Sequence, residues 1–365
     1  MRTRSVLAAA TAALAAATCL TTTGAAPAQA HASTHASTRA CSPSAWLDGF
    51  SDGLDKTTFQ GSFVGNLSAL ATDEDGTVAA LSDRSQLFSL DVEQRSGEAP
   101  SATPVRAVNL ADEKGGPVDS EGLVVDRDGT RLVTSETEPS VRRYDRDGRL
   151  LGRLPVPEVL QVAPAGRAAA NQTFEGLTLQ PGGRTLIASM EQALAGDGTD
   201  AAGRPLVRLQ SWQRHGRQDF AAGPQYAYPA DKGLGVAEIA AAGDGRLLVL
   251  ERGFTAGVGN TVRLYLADPR RASDVTAVTN LPGGPAVRPV GKTLLADIGA
   301  CPSLGATARQ PQPNPLLDNI EGLAVTRPAT RRNGGFLRLL LVSDDNQNPA
   351  QVTRLYSLTV RLPRP

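Results

Sequence analysis

Short apolar runs, interrupted by turns that carry glycine, recur through the middle of the chain. Five segments share one layout: NLSALATDEDGTVAALSD from Asn66, DSEGLVVDRDGTRLVTSE from Asp119, TFEGLTLQPGGRTLIASME from Thr173, GVAEIAAAGDGRLLVLERG from Gly235, and NIEGLAVTRPATRRNGGFLRLLLVSDD from Asn319. The apolar positions are Val, Leu, Ile, Ala and Thr, with little helical period, so each segment reads as strand, turn, strand. Asp75-Gly76, Asp128-Gly129, Gly182-Gly183, Asp244-Gly245 and Asn333-Gly334 are pairs that tolerate positive φ in tight hairpins. A third strand is expected after each hairpin: Gln86 to Val92, Val141 to Asp145, Pro205 to Trp212, Thr261 to Ala267 and Val352 to Val360. A weaker fourth follows in places, as at Leu150 to Val156.

Repeats of four antiparallel strands predict an all-β fold, a β-propeller of five or six four-stranded blades. Residues 269–318 would supply either the outer strand and a long loop of the fourth blade or a degenerate sixth blade. Thr58 to Val64 is the expected outer strand that closes the ring with the last blade. A β-sandwich, single or paired, is the alternative fold.

The ends of the chain read differently. Arg2 and Arg4, an Ala-rich apolar run from Val6 to Leu20, and Ala28-Gln29-Ala30 together spell a secretory signal peptide over residues 1–30. A lipid anchor at Cys19 is the alternative. Residues 31–44 begin with a repeated polar tetrapeptide and read as a flexible spacer, leaving 45–365 as one propeller domain. No later segment is long and apolar enough for a membrane span, so a secreted, extracellular protein is expected.

Composition narrows the chemistry. The 365 residues hold 37 Lys+Arg and 37 Asp+Glu, a balance that does not favour binding to nucleic acid through phosphate neutralisation. Three His and three Cys argue against His-rich or four-thiolate zinc sites. Beyond the leader only Cys41 and Cys301 remain, which in an oxidising compartment reads as one disulfide.

Acids occur in register with the hairpins. Glu121 and Glu136 are equidistant from the turn at Asp128-Gly129, Glu175 and Glu191 from Gly182-Gly183, and Glu238 and Glu251 from Asp244-Gly245. Glu321 and Asp344 flank Asn333-Gly334 in the same way, and Ser68 and Asp83 flank Asp75-Gly76. Residues equidistant from a hairpin turn are cross-strand neighbours, so each pair is expected side by side at the end remote from the turn. If these are the innermost strands of their blades, nine carboxylates crowd one mouth of the central channel. Such a set needs counter-charge. With so few His, an oxygen-ligating calcium ion suits it best, and Arg84, Arg252 and Lys232 would pair with some of the acids. Asp345, Asn346 and Asn348 offer further oxygens beside Asp344. Leu70, Leu123, Leu177, Ile239 and Leu323 are expected to pack the channel wall.

The segments SEGLVVD…SE, FEGL…ASME, LLVLERG and NIEGLAV…LVSDDN resemble the secreted bacterial phytase-like ("esterase-like activity of phytase") domain family over roughly residues 60–360. The resemblance implies a phosphoester or ester hydrolase whose repeated acids fall on Glu121, Glu136, Glu175, Glu191, Glu251, Glu321 and Asp344. The chain departs from the motif at Ser68 and Ala237, the latter followed by Glu238.

No G-x-S-x-G elbow, Walker loop or dinucleotide fingerprint occurs, and His215 lies in a polar stretch away from the acids. Metal-assisted hydrolysis remains. In that scheme Glu121, Glu175, Glu321, Asp344, Asp83 and Glu238 are the metal ligands, Glu136, Glu191 and Glu251 the catalytic bases, and Arg84 and Arg252 the substrate-binding groups. The expected partner is a small phosphoester or ester, with no nucleic acid or membrane, and the expected state is monomeric. A non-catalytic, calcium-stabilised binding module and a lactonase or carboxylester hydrolase are the alternatives.

Overall fold

A computed structural model describes residues 38–216, 219–284 and 286–363. The signal peptide and the first part of the expected spacer lie outside these residues. The spacer ends earlier than expected, because Ala40–Ser42 is already a strand, paired with Ala45–Ser51.

Five antiparallel sheets form a five-bladed propeller. The first blade is Leu67–Thr72, Val78–Ser82, Gln86–Glu93 and Ser101–Asn109. The second is Ser120–Val125, Arg131–Ser135, Ser140–Tyr144 and Leu150–Arg153; the third is Phe174–Leu179, Thr185–Met190, Leu206–Gln213 and Ala221–Pro229. The fourth is Gly235–Ala241, Leu247–Thr255, Gly259–Asp268 and Gly291–Asp297, so the described residues of 269–318 hold its outer strand and loops and no sixth blade. The fifth takes Ile320–Arg327, Phe336–Ser343 and Leu355–Arg361 from the C-terminus and Ala45–Ser51 from the N-terminus.

This closure corrects the sequence expectation. Thr57–Phe59 and Ser62–Val64 form a separate two-stranded hairpin, and Ala45–Ser51 is the closing strand. The choice follows from side chains: Ala45 and Leu47 are fully buried against the fifth blade's core with Leu358 and Val360. The Cys41–Cys301 disulfide joins the strand beside this closure to the 3-10 turn Ile298–Ala300 that ends the fourth blade. First strands of successive blades stand side by side, and that of the fifth meets that of the first. The ring is also clamped between blades, as where Arg214 donates to both oxygens of buried Asp126 at 2.5 and 2.6 Å.

Two irregularities fix the register. Gly129 donates to Asp126 O (2.9 Å), and Asp126 N donates to Thr130 O (2.8 Å), enclosing a three-residue loop with Gly129 at φ +77°. The paired positions are therefore centred half a residue from the middle of the expected two-residue turn. A β-bulge then falls on the first strand of every blade, at Ser68, Glu121-Gly122, Glu175-Gly176, Ala237 and Glu321. Together they displace the pairing. Glu136 N bonds Asp119 O (3.0 Å), Glu191 N bonds Thr173 O (2.6 Å), Asp344 N bonds Asn319 O (2.9 Å) and Asp83 N bonds Asn66 O (3.0 Å). Each second acid thus faces the residue two before the expected partner, and the first acid occupies the bulge, where a side chain is re-aimed out of the regular alternation.

Candidate functional site

The bulge residues and one residue from each second strand gather at one mouth of the axis. Bulge positions carry Ser68, Glu121, Glu175, Ala237 and Glu321; the second strands bring in Asp83, Glu136, Glu191, Asp344 and Arg252, each facing the residue two before the bulge. All of them except Ala237 line a cavity of about 610 Å³. Among the described residues eight carboxylates line it: Asp83, Asp119, Glu121, Glu136, Glu175, Glu191, Glu321 and Asp344. Two guanidiniums, Arg84 and Arg252, stand among them.

Burial and crowding act on these acids in one direction. Burial, then the charges of Glu321, Asp119, Glu136 and Asp83, pushes Glu121 well above the ordinary carboxylate range. Burial followed by Glu121 and Glu136 does the same to Glu175, and burial followed by Glu321 does so to Asp344. Asp83 is pushed up to about 7 by burial and by Asp344, and Glu136 to about 7 by burial and by Glu191. Burial raises Glu191 and Glu321 against the opposing pull of Arg252, and raises Asp119 against that of Arg84. Arg252 is itself held more firmly protonated, since Glu321, Glu175, Glu191 and Asp344 outweigh its burial.

Hydrogen bonding does little to offset this. Among the described residues no donor reaches the carboxylates of Glu121 or Glu175, and Glu136 has only the backbone N–H of Thr173. Asp344 accepts from Asn346 N (2.8 Å), Glu321 from Asn319 Nδ2 (2.9 Å), and Arg252 Nη2 lies 2.9 Å from Glu321 Oε1. Ligand oxygens of Asp119, Glu121 and Glu136 lie within 4.8 Å of one another, as do those of Glu136, Glu175 and Glu191, so Glu136 belongs to both sets. All these donors are hard carboxylate oxygens, the chemistry that suits calcium or magnesium rather than zinc.

Two expected members are elsewhere. Glu251 is fully buried outside the cavity; its carboxylate accepts from Tyr228 Oη (2.6 Å), Asp231 N (2.8 Å) and Lys292 Nζ (2.5 Å). Glu238 is buried towards the third blade, where Oε1 accepts from Leu177 N (3.0 Å) and Ile239 N (2.9 Å). The reason is a single-residue offset. Moving one residue outward on each strand leaves the centre of the hairpin unchanged but turns both side chains to the other face. The true ring positions of the fourth blade are Ala237 and Arg252.

Other expectations divide. Lys232 is exposed and makes no ion pair among the described residues. Asn346 and Asn348 line the cavity, whereas Asp345 is fully buried, accepting from Asn66 N (3.0 Å) and pairing with Lys56. His215 is exposed. Leu70, Leu123, Leu177, Ile239 and Leu323 line a narrower apolar pocket of the channel wall, as expected. Sequence reasoning missed Asp119, Asn171, Phe254 and Asn260. Asp119 carried a signal: it lies two residues before Glu121, on the same side of an extended chain.

Comparison with known proteins places the chain in context. A segment is 29% identical to an uncharacterized secreted protein of Arthroderma benhamiae; the match spans 22% of this chain and about a fifth (21%) of that protein's length. Among solved structures, a gluconolactonase from Xanthomonas campestris is 12% identical, with 88% of this chain and 92% of that chain covered at a TM-score of 0.39. A PQQ-bound aldose sugar dehydrogenase from Streptomyces coelicolor is 13% identical, with 88% and 100% covered at a TM-score of 0.36. Those scores are low, and no property of either enzyme is transferred. The family model for phytase-like proteins, described as esterase-like activity of phytase, matches residues 62–347. By that match, which takes in four blades and two strands of the fifth, the chain belongs to the phytase-like family.

Proposed function

We propose that this protein is an exported, cation-dependent hydrolase that cleaves phosphoesters by preference and uses calcium. The observation that carries the reading is the convergence of eight carboxylates on one mouth, two of them, Glu121 and Glu175, without a hydrogen-bond donor among the described residues. Charges brought together in this way stay ionised only beside a counter-ion. Asp119, Glu121 and Glu136 would hold one cation, and Glu136, Glu175 and Glu191 a second, which makes Glu136 a shared ligand rather than a base. When bound, such a cation supplies the positive charge that draws in an anionic ester and polarises the bond to be cleaved.

The remaining residues have separable tasks. Glu321 is tied to Arg252 and Asn319, and Asp344 to Asn346. Asp83 lies outside both cation sets, its one ion pair among the described residues being to Arg84 at 3.5 Å, and is the carboxylate left to take a proton from attacking water. Export rests on the Ala-rich leader, the disulfide and the relative described as secreted.

The test combines binding and turnover. Metal-stripped protein should melt at lower temperature than calcium-loaded protein, with elemental analysis finding bound calcium. Release of phosphate from an aryl phosphate should need that calcium. Opening of a lactone instead would favour the carboxylester reading. Calcium-dependent melting without turnover of either would make the protein a binding module, and no response to calcium would end the proposal.

A further inference from the structure

The fourth blade differs from the other four at both of its ring positions. Its bulge residue is Ala237, and the second-strand residue that enters the ring is Arg252, paired with Gly235, so it contributes a cation and no acid to the mouth. Three features of that sector point the same way. Arg252 lies beside Glu321 through one nitrogen, while its Nε has no hydrogen-bond partner. Asn260, on the next strand of the same blade, also lines the cavity, and its amide Nδ2 is without a partner. Phe254 lines the cavity two residues beyond Arg252 and is 55% exposed.

We infer that the fourth-blade wall is the substrate-recognition sector: Arg252 takes one anionic group of an ester, and Phe254 takes an apolar or aromatic leaving group. The inference rests on the cation-site reading above, because an anion would not otherwise approach eight carboxylates. A planar guanidinium with free N–H groups grips a phosphonate or phosphate oxygen pair well. An exposed aromatic ring at a cavity rim offers stacking area to a flat, uncharged body.

Charge sets the substrate class. Eight carboxylates against two guanidiniums leave six formal negative charges, and two divalent cations would cancel four of them. A loaded mouth that is still negative accommodates one anionic group facing Arg252 and disfavours a ligand carrying many phosphates. The class is therefore an aryl or alkyl monoester.

Binding of phenylphosphonate to the full chain by calorimetry, with calcium present, tests this without turnover. The wild type should bind it, and bind inositol hexakisphosphate more weakly. R252Q should weaken phenylphosphonate binding at least tenfold and R252K several-fold less. F254A should lower affinity for phenylphosphonate but not for methylphosphonate. The calcium-dependent shift in melting temperature is recorded for every variant. Wild-type protein with a normal calcium shift and no phenylphosphonate binding would overturn this inference alone. So would unchanged binding in R252Q with an intact calcium shift, or tighter binding of the hexakisphosphate. A wild type without any calcium shift would overturn both this inference and the reading beneath it.

Discussion

At the scale of the residue, the mouth is governed by protons and counter-charge. Asp83 and Glu136 are pushed up to about 7 in the folded protein, from ordinary values of 3.8 and 4.5. The folded state then holds protons that the unfolded chain releases between roughly pH 4 and 7. Stability from this source is full below the unfolded values and is lost as pH rises through the folded ones. Metal-stripped protein should therefore melt at higher temperature at pH 5 than at pH 7.5, and calcium should shrink that difference. Melting curves across this range decide it; a metal-stripped protein that is flat, or gains stability towards pH 7.5, contradicts the assignment. That acids would gather here was legible in residues such as Glu121, Glu175 and Glu321, whose spacing from their turns repeats. That Arg252 would replace an acid was not, because Glu238 and Glu251 give the same hairpin centre while facing away.

At the scale of the element, the hairpin and its bulge set what each blade can present. The glycine after the acid is there for its neighbour. A Cβ on Gly122 would stand 2.3 Å from Glu175 O on the next blade, and one on Gly176 would stand 2.4 Å from Ile239 N. Inner strands pass so closely around the axis that only glycine fits. G122A should destabilise the protein by about 1–3 kcal/mol through forced separation of the second and third blades, seen as a lower unfolding midpoint in urea. An unchanged midpoint would mean that the strands move apart freely. The strands themselves were readable from their apolar runs and turn dipeptides, as at Asp128-Gly129. The bulges were not, since an unpaired residue leaves no mark on alternation until its partner strand is known.

At the scale of the whole molecule, closure depends on a pairing between distant ends of the chain. Ala45–Ser51 completes the blade built from the C-terminus, and the disulfide, whose cysteines are 260 residues apart, fastens the neighbouring strand to the fourth blade. A cross-link of that span chiefly restrains the unfolded chain, and its loss typically costs about 2–5 kcal/mol. Replacing Cys41 and Cys301 together by Ala should lower the melting temperature, and limited proteolysis should then cut first near the N-terminal strand. Equal melting temperatures would show that pairing of Ala45–Ser51 alone holds the ring. The covalent link was legible from two cysteines in a chain whose leader reads as an export signal. The identity of the closing strand was not: the sequence pointed to Thr58 to Val64, and it is the burial of Ala45 and Leu47 against the last blade that assigns the role to Ala45–Ser51.

The bulge frees one residue per blade from its ladder, so the identity of that side chain is decoupled from the pairing of the strands. Serine in the first blade and alanine in the fourth show that the position tolerates exchange while the sheet around it keeps its form. The scaffold thus behaves as a ring of five independently editable sockets. Descendants of such a chain can alter the ligand they accept by single substitutions, one sector at a time, with little penalty to folding.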